Sequence, residues 1–256
     1  MYSDAIVAQA LALERTGRSP DSIASELGIS RTTVVAWLRV GSSLVAERGA
    51  SRLGRPTYRG ECIDPASLDP SAYAYLLGQY LGDGCISAVK RSFRLRITCC
   101  DDYPGVMDEC ELAIVTVRPE AQVRRLPRTG CTELSDSWHH WPCLLPHGRG
   151  GVKHTRLIEL TEWQRHLALE AAPGQFVRGL IHSDGWRGTN RVRGANGKTY
   201  EYPRYLFSNR SADIRQLFVD GCERISVGTR RMNAWTVSVA KRADVAILDQ
   251  VVGPKC

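Results

Sequence analysis

The sequence predicts an α+β protein in which a small helical N-terminal domain precedes a larger domain made of two related halves. Short amphipathic helices dominate residues 1–44. One helix pattern occurs twice, 101 positions apart, and a period-two alternation typical of strands follows each copy. Residues 45–68 contain Gly, Pro, Ser and Arg without periodicity, as linkers do. We therefore expect a larger domain over 69–254, divided into repeats at about 69–170 and 171–254.

The composition is that of a basic globular protein. Hydrophobic residues make up 43% of the 256 positions, which is enough for a core and excludes a disordered chain. The formal charge is +7, and 29 of the 34 basic residues are arginine, whose planar fork suits phosphates and guanine edges. The charge favours an acidic partner, nucleic acid first, with a basic enzyme of another class as the alternative.

Cysteine usage and hydropathy bear on the compartment. The nine cysteines are odd in number and irregularly spaced, and Cys99 and Cys100 are adjacent, which favours free thiols in a reducing cytoplasm. The sequence shows neither a signal-peptide pattern nor an apolar run long enough to cross a bilayer. We expect a soluble cytoplasmic protein without a membrane partner.

The first 44 residues contain a helix–turn–helix pattern. Gly28 permits a tight turn, and Ser30 can cap the helix that follows it. The pattern resembles the helix-turn-helix DNA-binding motif, and the residues that carry the resemblance are Ala24, Gly28, Val34 and Trp37. The resemblance implies that a second helix at about 31–39 enters the major groove. The residues expected near DNA are Ser30, Arg31, Thr32, Thr33 and Arg39. A plain helical hairpin is the alternative, and the near-zero net charge of this segment predicts weak DNA binding by this domain alone.

The repeated helix carries a face of small residues. Residues 75–84 (YLLGQYLGDG) and 176–185 (FVRGLIHSDG) share an apolar start, a glycine, a second small residue four positions later, and Asp-Gly. Residues four apart lie on one helix face, so two such faces can pack in near backbone contact. We expect the helices to pair about a pseudo-two-fold axis through Gly78, Gly82, Gly179 and Ser183.

This pairing would place Asp83 and Asp184 side by side at two helix C-termini. The helix macrodipole is negative there and disfavours a carboxylate, and each carboxylate also repels the other. A divalent cation such as Mg²⁺ between them would relieve both effects. Gly84 and Gly185 are expected to provide left-handed helix exits. Each Asp-Gly copy alone is equally typical of an ordinary turn.

These paired motifs resemble the single-chain, two-motif LAGLIDADG homing endonucleases over about residues 70–252. The resemblance implies two αββαββα repeats, each with a four-stranded saddle-shaped sheet on duplex DNA. It also implies Mg²⁺ binding at the scissile phosphates by Asp83 and Asp184, beside Gly82 and Ser183. Leu81 and His182 replace the first acidic residue of the family motif, and Arg178 replaces a small residue. His182 is either a helix-surface residue or a catalytic one.

A basic residue on a late strand often assists at the phosphate in the resembling family. The nearest counterparts here are Lys153 in the first repeat and Lys241 in the second. A solvent-facing lysine is the alternative at both positions.

Two segments with strand periodicity could contact DNA. Phe93, Leu95 and Ile97 alternate with a polar, basic set, which gives a core face and a basic face. Residues 187–193 and 199–207 flank Ala-Asn-Gly-Lys, a strong hairpin signal, and a two-stranded ribbon fits the major groove. The candidate DNA-binding residues are Arg94, Arg96, Arg187, Arg191, Arg193, Lys198 and Arg204. A solvated basic hairpin is the alternative.

A group of cysteines and histidines falls within 24 positions: Cys131, His139, His140, Cys143, His147 and His154. Tetrahedral zinc is conceivable there, but the segment lacks a Cys-x-x-Cys pair, which disfavours a structural zinc site.

Taken together, the sequence predicts a monomer with internal pseudo-two-fold symmetry that binds duplex DNA, in the nucleoid, and cleaves it with Mg²⁺. Two alternatives use the same scaffold. One is a non-catalytic transcriptional regulator that selects promoters with the helix-turn-helix, and the other is a maturase-like RNA-binding protein.

Overall fold

The computed structural model describes residues 4–40, 63–148, 151–193 and 196–255. The chain divides into two compact units, 1–57 and 58–256. Most of the predicted linker, residues 45–62, lies outside the described residues.

The N-terminal unit contains three helices: α1 (Asp4–Arg15), α2 (Pro20–Leu27) and α3 (Arg31–Val40). Ser19 caps α2 by accepting a hydrogen bond from the Ser22 amide, and Gly28 ends it with a left-handed φ of 64°. A small separate core holds the helices together and consists of Ala10, Ile23, Ala24, Ile29 and Val34.

The larger unit contains two four-stranded antiparallel sheets, with strand orders β1-β2-β4-β3 and β5-β6-β8-β7. The first repeat consists of α4 (Pro70–Asp83), β1 (Gly84–Val89), β2 (Ser92–Cys100), α5 (Pro104–Val117), β3 (Arg124–Arg128), β4 (Cys131–Trp138) and α6 (Trp141–Leu144). A connection follows with α7 (Glu162–Arg165) and a π-helical segment, His166–Ala171. The second repeat consists of α8 (Pro173–Asp184), β5 (Gly185–Arg193), β6 (Thr199–Ser208), α9 (Ala212–Arg224), β7 (Arg230–Arg231), β8 (Thr236–Val239) and α10 (Arg242–Val252). Both halves have the same element order and sheet order, so the predicted α+β fold with two αββαββα repeats is confirmed.

The repeats meet where α4 packs against α8. A Cβ added at Gly78 would lie 2.7 Å from both the Leu180 nitrogen and the Phe176 oxygen, and one at Gly179 would lie 2.3 Å from the Tyr75 oxygen. Real Cβ atoms do not approach backbone this closely, so only glycine permits this helix spacing.

Buried polar side chains cross the same helix pair. The Tyr75 hydroxyl lies 2.9 Å from His182 Nδ1 and accepts a 2.8 Å hydrogen bond from Gln79 Nε2. His182 is buried, and burial lowers its pKa to about 4. This histidine therefore lies in the helix interface, neutral at pH 7, and is not a helix-surface residue.

Each sheet has one face against the helices and one face toward solvent. In β2, Leu95, Ile97 and Cys99 are buried, whereas Arg94 and Thr98 on the alternate positions are exposed, as the alternation predicts. We name the two solvent faces by the side chains on them. Face A, on β1–β4, contains Arg94, Arg96, Arg124 and Arg128. Face B, on β5–β8, contains Trp186, Val192, Tyr200, Tyr202, Arg204 and Arg230.

Candidate functional site

The two motif aspartates end α4 and α8, immediately before the first strand of each repeat. The prediction of left-handed exits is wrong: Gly84 and Gly185 are extended, with φ of −90° and −96°. The chain passes directly from helix to strand at these positions. Glycine is required there because an added Cβ would lie 2.5 Å from the Tyr80 Cα or the Ile181 Cα. The same tight turn fixes each aspartate at the end of the helix pair.

The environment of these carboxylates disfavours their charged forms. Surrounding protein atoms displace water from Asp83, and the charge of Asp184 adds to this, so the pKa of Asp83 rises to about 6 although the residue still contacts solvent. Desolvation also raises the pKa of Asp184, opposed by a 2.6 Å hydrogen bond from Asn209 Nδ2. The structure therefore brings the two carboxylates within electrostatic reach of one another.

Two lysines, each following the last helix of one repeat, lie near the aspartates. Lys153 Nζ donates to the Tyr80 and Gly82 carbonyl oxygens at 2.6 Å each, and Lys255 Nζ donates to the Gly185 oxygen at 3.5 Å. Burial lowers the pKa of Lys153 to about 8, while the aspartates oppose that shift. The charges of both lysines lower the pKa values of Asp83 and Asp184.

Sequence reasoning missed two members of this site, Asn209 and Lys255. Lys241, the residue predicted for the second repeat, is exposed at the N-terminal cap of α10, and Lys255 approaches the aspartates from the second repeat instead. A signal for Lys255 existed, because it follows Lys153 by 102 positions, close to the 101 that separate the aspartates. Asn209 carries no such signal in the sequence. It follows β6, and the pairing of β6 with β5 brings it beside Asp184 at the end of α8.

Two carboxylates suit Mg²⁺, which is commonly held by one or two carboxylates together with water and substrate phosphates. Gly82 is predicted to take part in the metal site, but its carbonyl oxygen already accepts a hydrogen bond from Lys153 Nζ. The Ser183 hydroxyl donates toward carbonyl oxygens of its own helix, at 3.0 Å to Gly179 and 3.1 Å to Leu180. Asp83 and Asp184 are therefore the side chains that fit the ion.

Larger metal-binding clusters are absent from the part of the chain that the structure describes: no three or more His, Cys, Asp or Glu side chains are placed to share an ion. Within the Cys/His segment, His147 is buried, and burial lowers its pKa to about 4. The Cys143 sulfur lies 3.9 Å from His140 Nδ1.

The raised pKa of Asp83 predicts how stability depends on pH. The folded pKa, about 6, exceeds the ordinary 3.8, so the folded state holds the proton more tightly and its carboxylate costs stability above that range. Without divalent cations, the Asp83→Asn variant should match the wild type near pH 3.5 and exceed it in free energy of unfolding above pH 6. After solvent screening the difference should be about 1 kcal/mol. Urea unfolding from pH 3.5 to 7 measures it, and a difference that shrinks as pH rises would contradict the assignment.

The predicted DNA-binding arginines of the second hairpin are divided between two faces. Arg187 lies opposite Tyr205 on the core side, and its guanidinium pairs with both oxygens of Asp249 at 3.0 and 3.1 Å. Arg191 and Arg193 follow the same alternation, and Arg191 pairs with Glu201. Arg204 is on face B, and Lys198 is exposed near the hairpin tip. Arg204 therefore lies on the opposite face of the ribbon from the odd-numbered arginines, because the register with β6 places those on the same side as Tyr205.

Face A is more strongly basic than the sequence indicated. Arg94 donates to the Ser137 hydroxyl at 3.3 Å, and Arg96 lies 3.7 Å from Glu133. Arg124 is directly opposite Ser135, which is opposite Arg96, so β3 adds arginines to the same face. A cleft of about 370 Å³ opens between Arg94 and Arg124.

In the N-terminal unit, Ser30, Arg31 and Thr32 are exposed at the start of α3. The Ser30 hydroxyl lies 3.0 Å from the Thr32 hydroxyl and 2.7 Å from that of Thr33, and Arg31 pairs with Asp21 at 2.7 Å. The side chain of Arg39 lies outside the described residues.

No protein-family model matches the chain, and no curated protein matches it. Within the described residues, no helix combines the length and apolar character needed to cross a membrane.

Solved structures similar to the chain include variants of the homing endonuclease I-DmoI, at 13% identity over 72% of this chain and 97% of that one, with a TM-score of 0.44. The LAGLIDADG meganuclease I-AabMI bound to uncleaved DNA gives 12% identity over 72% of this chain and 83% of that one, with a TM-score of 0.47. An I-SmaMI mutant gives 8% identity over 73% and 84%, with a TM-score of 0.44.

Proposed function

We propose that this protein is a site-specific, Mg²⁺-dependent endonuclease of duplex DNA. The observation that carries the proposal is the pair of crowded carboxylates, Asp83 and Asp184, at the end of the α4–α8 pair and at the start of both sheets. Asp83 and Asp184 would hold the ion, which supplies Lewis-acid stabilisation of the charge that builds up on the phosphate. The motif resemblance of both helices points to the same activity.

The chain's own residues have separate roles in this proposal. The Lys153 and Lys255 ammonium groups lie beside the carboxylates and supply positive charge to a phosphate bound there. Asn209 fixes the orientation of Asp184 through its hydrogen bond. Face A supplies arginines for the groove and backbone of the duplex. Because the repeats differ in sequence, a single chain would recognise a target that is not palindromic.

The helix-turn-helix assignment of residues 20–39 belongs to the same proposal as a second DNA contact. The exposed hydroxyls of Ser30 and Thr32 and the charge of Arg31 are at the end of α3 that would meet the groove. The regulator alternative requires binding by this helix without any cleavage.

One experiment tests the proposed function. Bound sequences are recovered from a random duplex pool by the full chain without divalent cations and are then incubated with Mg²⁺. Cleavage at a fixed position, with affinity that falls as salt rises, is the expected result. A tightly bound target that stays intact in Mg²⁺ would favour the regulator, and failure to retain any duplex would overturn DNA binding.

The two lysines give a further prediction. Lys153→Met and Lys255→Met should each lower the single-turnover cleavage rate about a hundredfold, because each removes positive charge beside the phosphate, while Kd changes much less. Lys241→Met compares the residue predicted from the sequence with Lys255, the residue proposed here. A comparable loss in Lys241→Met, with Lys255→Met unaffected, would return the role to Lys241.

A further inference from the structure

The two solvent faces differ in chemical character. Face B presents large hydrophobic side chains to solvent: Trp186 is 52% exposed, Val192 44%, and Tyr200 and Tyr202 41% each. Among the described residues, β1–β4 contain no exposed large hydrophobic side chain. Face A presents arginines without such side chains, whereas face B combines them with Arg204 and Arg230. Contact between apolar side chains and water is unfavourable, and burial against a partner would remove it. The apolar surface on this antiparallel ribbon therefore indicates a binding surface.

The aromatic side chains of face B contact neighbours on the same ribbon. Val192 is opposite Tyr200 in the register, and the rings of Tyr200 and Tyr202 stack with centroids 6.5 Å apart and planes 23° apart. The Trp186 indole lies along its own strand over Gly188, where an added Cβ would be 1.9 Å from the ring. Glycine at 188 therefore leaves room for the indole above its own strand. The aromatic side chains share the solvent face of the β5–β6 ribbon with Val192.

The position of this surface indicates its occupant. Face B begins two residues after Asp184, so a duplex bound at the aspartates continues along β5 and β6. A two-stranded ribbon fits the major groove, and the apolar group that a base pair presents there is the C5 methyl of thymine. Guanine presents acceptors that suit arginine instead.

We propose that the two faces read chemically different half-sites: the aromatic ribbon of face B contacts thymine methyl groups, and the arginines of face A contact guanines. This inference rests on the proposed function, since it assigns the composition of the target. The half-site at β5–β6 is therefore A·T-rich with thymines at the contacted positions, and the half-site at β1–β4 is G·C-rich.

The test uses the full chain and the duplex recovered from the random pool. Thymines in one half-site at a time are replaced by uracil, which lacks only the methyl group. The expected result is a weakening of about fourfold per contacted thymine in one half-site, the effect of one buried methyl, and no change in the other. Replacing guanine by 7-deazaguanine, which lacks the N7 acceptor, should weaken binding in the opposite half.

Protein variants assign each half-site to a face. Tyr202→Thr should reduce the uracil effect in its half by the share of the thymine that Tyr202 contacts, whereas Arg94→Ala should reduce the deazaguanine effect in the other half. Leu112→Thr, which removes an exposed apolar side chain on α5, is the matched control and should change neither effect. Circular dichroism confirms that each variant is folded.

Several results would overturn the inference. If uracil substitution leaves binding unchanged in both half-sites, the inference is wrong. The proposed function still stands in that case, because the protein still cleaves the duplex. A concentration-dependent dimer that is lost in Tyr202→Thr would assign face B to a second copy of the chain. A pool from which no duplex is retained overturns both the proposed function and this inference.

Discussion

Replacing either motif aspartate by asparagine is expected to reduce Mg²⁺-dependent cleavage by about a thousandfold while duplex binding is retained. Asparagine preserves the shape of the side chain and removes the charge that would hold the ion, and loss of several kcal/mol of metal-assisted stabilisation corresponds to this factor. Single-turnover cleavage and Kd on the same duplex measure the two effects separately. Full-rate cleavage by both Asp83→Asn and Asp184→Asn would contradict the assignment.

Folding defects do not explain such a loss, because the same changes relieve an unfavourable interaction. The pKa of Asp83 is raised first by desolvation and then by the charge of Asp184, so neutralising either residue removes repulsion from the folded state. The variants should therefore be at least as stable as the wild type without cations. Adding Mg²⁺ should raise the melting temperature of the wild type and not that of the doubly substituted protein, since only the former keeps the carboxylates proposed to hold the ion.

The helix pair and its aspartates could be predicted because their signal is local and occurs twice. Gly78 and Gly179 are each followed by a small residue and then by Asp-Gly. These few positions predict both the close approach of the two helices and the pairing of their aspartates. The core face of β2 is similarly local, since Leu95 and Ile97 alternate with polar residues along one strand.

Other features depend on pairing that no single segment contains. The period of Arg187, Arg191 and Arg193 shows that they share a face, but only the register with Tyr205 shows that this face is the core side. Lys255 reaches the site because the chain returns to the Gly185 carbonyl after α10, which depends on tertiary packing.

The helix exits show how a correct residue can be given the wrong geometry. Glycine after a helix usually adopts a left-handed conformation, whereas Gly84 is extended and is constrained by the nearby Tyr80 backbone. A left-handed exit and a crowded extended exit both require a residue without a Cβ. The sequence therefore shows glycine after the helix in either case, although the backbone conformation differs.

The second large effect is expected at the helix seam, where Gly179→Ala should lower the free energy of unfolding by about 3 kcal/mol. In an unconstrained helix the change would stabilise by about 1 kcal/mol, so the sign itself distinguishes packing from helix propensity. The new methyl group would lie 2.3 Å from the Tyr75 carbonyl oxygen and 3.1 Å from the Gly78 Cα, and backbone atoms cannot move aside as a flexible side chain can. The helices must therefore separate, which loosens the contacts around them.

Gly174→Ala is the matched control, because it lies on the same helix and its added Cβ would meet only the two Val251 methyl groups, at 3.3 and 4.0 Å. Its stability should stay within about 0.5 kcal/mol of the wild type in urea unfolding. Separation of α4 from α8 also moves Asp83 away from Asp184, so Gly179→Ala should lose cleavage at temperatures where the protein is still folded. Unchanged stability in Gly179→Ala would mean that the helices do not meet at this seam. In that case the two carboxylates would have no reason to share an ion, since the backbone contact between the glycines is what brings the two helix ends together.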